Sequence, residues 1–166
     1  TGGGLELGLR AKNRDTGATP NAVGGFYTFS TGYSANAPAL ALWNFEFSIN
    51  AGSQSLSSYD FYLGIDLDPT LGVNYAASLI NPLTFLGDNF YGTSGTLNGQ
   101  GSESSLTDAL AEGHTIAQNS LNIFYAGLDP SQDATYDFRL FAVAKDIAYK
   151  QVMSALATER LQTCEI

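Results

Sequence analysis

Along residues 39–50, ALALWNFEFSIN, apolar and polar positions alternate: Leu40 and Leu42 first, then Trp43, Phe45, Phe47 and Ile49 with Asn44, Glu46 and Ser48 between them. Successive side chains of a strand point to opposite faces, so this alternation predicts a half-buried β-strand. Five further segments read the same way by alternation or β-rich composition: 5–12, 25–31, 59–67, 115–125 and 135–144. In 59–67, Phe61, Leu63 and Ile65 share one face. In 135–144, Tyr136, Phe138, Leu140 and Ala142 oppose Asp137, Arg139, Phe141 and Val143, which predicts a second half covered on both sides. Clusters of Gly, Ser, Asn, Asp and Pro separate the six.

Strands at this spacing, without helices between them, predict an all-β fold, an antiparallel β-sandwich or jelly roll. Trp43, Phe45 and Phe47, or Leu42 and Leu40 on the opposite face, then fill the space between two sheets, and AGSQSLSS (51–58) is a solvated connection. Residues 69–113 read as a long loop region, and GTSGTLNGQGSESS within it, being close to low complexity, is expected to be disordered or an exposed flap. Inside it, SLTDALAEG (105–113) predicts one or two helical turns, capped by Ser105 or Thr107 and ended by Gly113. The pattern changes after residue 145. Ala148, Tyr149, Val152, Met153, Leu156 and Leu161 recur at helical spacing behind Asp146 as N-cap, predicting an amphipathic helix over 147–162. Residues 1–145 are thus expected to form the sandwich domain and 146–166 a C-terminal helix and tail, packed on the sandwich or joining subunits.

At 166 residues the chain fits one domain. Its 44% hydrophobic and 14% charged residues describe an ordered domain rather than a disordered chain. The net charge is −9, and no Lys or Arg occurs between Asp15 and Asp137. Affinity for nucleic acid comes from basic groups neutralising phosphates, so nucleic acid is excluded as a partner and anionic membrane surfaces are disfavoured. No apolar run reaches the roughly 18–20 residues of a membrane span. Cys164, the only cysteine, allows no intramolecular disulfide and reads as an exposed tail thiol able to cross-link two chains. A start at TGGG rather than Met fits a processed N-terminus from which a signal peptide has been removed.

Candidate chemistry is sparse. Asp66 and Asp68 in GIDLDPTLG, and Asp129 and Asp133 in GLDPSQDATYD, gather hard oxygen ligands in loop contexts suited to Ca²⁺, without matching an EF-hand. The same Asp residues are also ordinary turn formers. Glu46 with Asp60 or Asp66 is a candidate pair of glycosidase carboxylates, which need to converge to roughly 5–10 Å; otherwise Glu46 occupies an outward polar position. His114 is the only histidine, and no Gly-x-Ser-x-Gly elbow supplies a nucleophile for it. Tyr27, Tyr33, Tyr62, Tyr75, Phe90 and Tyr91 adjoin polar or Gly-rich stretches and are candidates for stacking on sugar rings, with core packing as the alternative use.

Taken in order, LELGLRAKNRDTGATPNA, GFYTFSTG, ALWNFEFSINAG, YDFYLGIDLDPTLGVNYAASLINPL, DNFYGTSGTLNGQG, TIAQNSLNIFYAG and ATYDFRLFAVA resemble secreted bacterial proteins that carry PEP-CTERM sorting signals, the tags read by exosortase in biofilm-forming bacteria. The resemblance covers about residues 5–145. It implies an exported, non-enzymatic β domain at the cell surface or in the exopolysaccharide matrix, and it carries no site residues. The Pro-Glu-Pro box, apolar span and basic end of such proteins are not present here. The leading functional expectation is a secreted structural or matrix protein that self-associates, even into filaments, with TGGGLELGLRAK donated as a strand to a neighbour. A carbohydrate-binding module for exopolysaccharide is the alternative, and a glycan-active enzyme the third reading.

Overall fold

The computed structural model describes residues 4–70, 72–75, 78–103, 105–145 and 164–165. The alternation read in the sequence becomes strands β1 (Glu6–Asn13), β2 (Trp43–Asn50) and β3 (Tyr59–Ile65). Leu79–Ile80, Phe90–Gly92 and Ser102–Glu103 form short strands β4, β5 and β6. The later strands are β7 (Ile116–Asn122), β8 (Phe138–Ala144) and β9 (Cys164–Glu165). They make two antiparallel sheets, ordered β1-β2-β7-β5-β6 and β4-β3-β8-β9.

Register fixes which residues meet. In the first sheet Ala11 lies opposite Phe45 and Phe45 opposite Leu121, while Leu9, Phe47 and Asn119 form the next inward row. In the second, Phe61, Leu63 and Ile65 of β3 lie opposite Ala142, Leu140 and Phe138 of β8. The inward rows of both sheets share one core, in which Phe45, Ile49, Phe61, Leu63, Phe138 and Leu140 are essentially inaccessible. Phe45 meets Phe138 across it at 4.7 Å between ring centroids. Removing such side chains from water is worth roughly 1.5–3 kcal/mol each, which is what holds the sheets face to face.

Several expectations change. Residues 25–31 form no strand: Val23 and Phe26 bridge around Gly24 and Gly25, both at positive φ, and the chain then runs on irregularly. The Gly-Gly pair supplies the left-handed conformations that a tight two-residue turn needs. β7 stops at Asn122, whose side chain caps a 3-10 helix over Ile123–Ala126 by accepting from the Phe124 N–H. The 69–113 region is largely structured. It holds β4 to β6, a one-turn helix α1 (Pro82–Phe85) capped by Asn81, and α2 (Leu106–Ala111) capped by Ser105 with Gly113 beyond its end. β1 pairs along its whole length with β2 of its own chain. The backbone of Cys164 pairs with Leu140 instead of ending a free tail. The helix expected over 147–162 lies outside the described residues, among which no helix is long and apolar enough to cross a membrane.

Candidate functional site

Because the strands are antiparallel, the end of β1, the start of β2, the end of β7 and the start of β8 lie together at one end of the two sheets. A cleft of about 360 Å³ opens there, between the 26–31 segment and the 129–136 loop. The half-buried ring of Phe29 stacks on Trp43, with centroids 5.2 Å apart and planes 7° from parallel. Phe138 meets Trp43 from the core in a T-shaped contact, with centroids 6.2 Å apart. Phe26, 57% exposed, and Tyr27 line the cleft on one side, and Tyr136 lines it on the other.

Backbone bonds hold the two walls together. Gly32, at φ 120°, donates its N–H to the Pro130 carbonyl (2.6 Å) and accepts from the Leu42 N–H (3.1 Å), so one residue ties the 30s loop both to the opposite wall and to the entry of β2. Only glycine takes that backbone conformation readily. Asn122, 3% exposed, fixes β2 from the other side. It accepts from the Ala41 N–H (3.0 Å) and donates to the carbonyls of Ala41 (2.9 Å) and Trp43 (3.2 Å) and to Asn44 Oδ1 (2.8 Å). Asp15 braces the same loop by accepting from the Ser34 hydroxyl and the Ala35 N–H, and those hydrogen bonds hold its carboxyl below the usual range.

The polar lining is acidic or uncharged. Asp129 accepts from the Ser131 hydroxyl (2.7 Å) and N–H (2.9 Å), which lowers its pKa and keeps it an ionised acceptor. Burial, and secondarily the Asp129 charge, push the Tyr136 phenol up, so it remains a donor. Asp133, Gln132, Thr28 and Thr135 also face the cleft, and among the described residues no Lys or Arg lines it. Ring faces beside hydrogen-bonding groups of both kinds are the equipment for holding a polyhydroxylated ring.

The other sequence candidates are dispersed. Asp66, 1% exposed at the end of β3, accepts from the N–H groups of Asp68 (3.0 Å) and Asn74 (3.3 Å), while Asp68 accepts from Thr70; both therefore shape their own loop. Asp129 and Asp133 belong to the cleft instead, and among the described residues no three acidic, His or Cys groups gather where a metal ion would sit. Glu46 points away from the core on the outer face of the first sheet, bound by Arg10 (2.5 Å) and Lys12. Asp60 lies on the outer face of the second sheet, 3.4 Å from Lys145, and Asp66 follows a strand of that sheet, so Glu46 converges with neither. His114 precedes β7, with Nε2 3.3 Å from Glu112.

Of the six aromatic candidates, only Tyr27 lines this cleft. Tyr33 is half exposed at a bridge to Ala41, Tyr62 stacks on Phe141 outside the second sheet, Tyr75 covers Gly64, and Tyr91 is buried in the core. Phe26, Phe29, Trp43 and Tyr136 escape sequence reading because GFYTFST alternates like a strand and Trp43 like a core residue. The Gly24-Gly25 pair was the available signal that the alternation there is not a strand's. No family model matches the chain, and neither a curated protein nor a solved structure does.

Proposed function

We propose that the chain is a glycan-binding domain that takes neutral saccharide rings into the cleft between Phe26 and Tyr136. The observation that carries this reading is the combination in one opening of exposed ring faces with ionised, amide and hydroxyl partners, and with no basic side chain among the described residues. A cleft holding Asp129 and Asp133 repels phosphate and uronate groups, whereas sugar hydroxyls donate to these carboxylates. Under the PEP-CTERM-type resemblance the saccharide belongs to an exopolysaccharide matrix outside the cell, and the sheets are those of a jelly roll.

Affinity electrophoresis tests it. The protein should be retarded in gels containing a neutral polysaccharide such as galactomannan, xyloglucan or mixed-linkage β-glucan, and should run freely in alginate. Phe26→Ala with Tyr27→Ala should sharply weaken the retardation while leaving the fold intact. Free migration in all three neutral gels overturns the proposal.

Self-association is the second reading, supported by the place of β1. It is eight residues long and lies at a sheet edge, and among the described residues it pairs only with β2. Such an edge is a template for a strand from another copy. Light scattering over a wide concentration range tests this, and a monomer throughout removes it.

A further inference from the structure

We infer that the outer face of the first sheet carries a second saccharide site, which makes the protein bivalent and lets it cross-link polysaccharide chains; the inference rests on the glycan-binding reading above. A trough of about 300 Å³ lies there, over Gly8 of β1, Ser48 and Asn50 of β2 and Gln118 of β7. It shares no lining residue with the first cleft. Ser48 and Asn50 are five and seven residues from Trp43 along β2, on the order of 16–23 Å at a strand's rise.

The wall of the trough is the 93–101 loop, the segment whose composition suggested disorder. Gln118, 4% exposed, pins it: its amide donates to the Leu97 carbonyl (3.1 Å) and to that of Gln100, and its oxygen accepts from the Gly99 N–H (3.0 Å). Two glycines let the loop fold back. A Cβ on Gly92 would collide with Thr96, and one on Gly101 would lie 2.6 Å from the Tyr91 carbonyl oxygen. The polar groups of the loop are thereby held over the sheet.

The lining fits an uncharged polyhydroxylated ligand. Among the described residues the side chains of Ser48, Ser94 and Asn98 hydrogen-bond to nothing, so they face the trough with their capacity unspent. Glu6 is the one charged group among the described residues of the lining. Phe90, directly opposite Gln118 on β5 and on the same face, is 39% exposed and offers a ring beside the trough. The floor is open because residue 8 has no side chain: a Cβ there would meet Ser48 at an ordinary 3.8 Å, with no backbone strain. Two sites on one rigid body raise avidity on a polymer and bridge separate chains.

The test uses Gly8→Trp, which fills the trough, and Asn50→Ala with Asn98→Ala, which strips it, each checked by circular dichroism and for unchanged oligomeric state. Wild-type protein added to dilute galactomannan, xyloglucan or mixed-linkage β-glucan should raise light scattering as chains are bridged. Both variants should remain retarded in the affinity gel yet lose bridging at least tenfold. A wild type that is retarded but never bridges, or variants that bridge as well as wild type, overturn the inference and leave the first cleft standing. A wild type that is not retarded in any of these gels overturns both.

Discussion

The ring of Phe29 lies flat on the indole of Trp43, 5.2 Å away, joining an irregular segment to the first residue of β2. That contact turns a strand-like sequence into the wall of a cleft, because an aromatic pair contributes about 0.5–1.5 kcal/mol beyond the area it buries. Phe29→Ala should therefore expose one face of the only tryptophan in the chain. Its fluorescence should shift to the red, and the protein should lose about 1–2 kcal/mol of stability. An unshifted emission maximum would mean that the stack is not populated in solution.

Asn122 ties the backbone of residues 41–43 to the end of β7 through one buried amide, and its loss leaves the Ala41 N–H and the Ala41 and Trp43 carbonyls short of partners. Unsatisfied buried polar groups cost about 1–3 kcal/mol each. Asn122→Ala should cost about 3 kcal/mol overall, read from urea denaturation, and should weaken polysaccharide retardation because Trp43 is no longer held. A loss below about 1 kcal/mol would show that water replaces the amide without difficulty.

The inward rows were legible in the sequence because burial on one face imposes a period of two, and Phe45, Phe47, Ile49, Phe61, Leu63, Phe138 and Leu140 all follow it. Ser105 and Gly113 were legible as helix ends because capping is local. What escaped is non-local. The cleft is built from segments about a hundred residues apart, and the stretch 92–101 is ordered by Gln118, a residue on another strand. Alternation in GFYTFST was real, but its rings serve a cleft and a stack on Trp43 rather than two faces of a sheet.

Glu46 on the outer face of the first sheet gives the molecule an acid-sensitive contact. Burial raises its pKa, but hydrogen bonds and charges from Lys12 and Arg10 outweigh this, so the net shift is downward from 4.5. A carboxyl whose folded pKa lies below its unfolded one stabilises fully above the unfolded value and loses that stabilisation as pH falls through the folded one. Glu46→Gln should thus cost about 1 kcal/mol at pH 7, the scale of a partly exposed ion-pair network. The gap between variant and wild type should close as pH drops below 4.5. Thermal melts from pH 7 down to about pH 2.5 provide the check, and a gap that persists at the acid end would assign the loss to packing.

Gly64 lies on the outer side of β3 with the Tyr75 side chain against its bare backbone. A glycine within a strand is ordinarily a weakness, and replacing it with alanine gains roughly 0.5–1 kcal/mol where space permits. Here a Cβ would lie 2.9 Å from Cγ and Cδ1 of Tyr75 and 3.1 Å from its Cβ. These atoms are at the base of the side chain, so a rotation of the ring does not clear them; the backbone near residue 75 has to move. That backbone is anchored next door, where Asp66 accepts from the Asn74 N–H at 3.3 Å. Overpacking of this kind costs about 1–3 kcal/mol, which exceeds the entropic gain and sets the sign. Gly64→Ala should lower the midpoint of urea unfolding, whereas the same substitution combined with Tyr75→Ala should cost less than the sum of the two single changes. If Gly64→Ala instead matches or exceeds wild-type stability, Tyr75 does not cover Gly64 in solution.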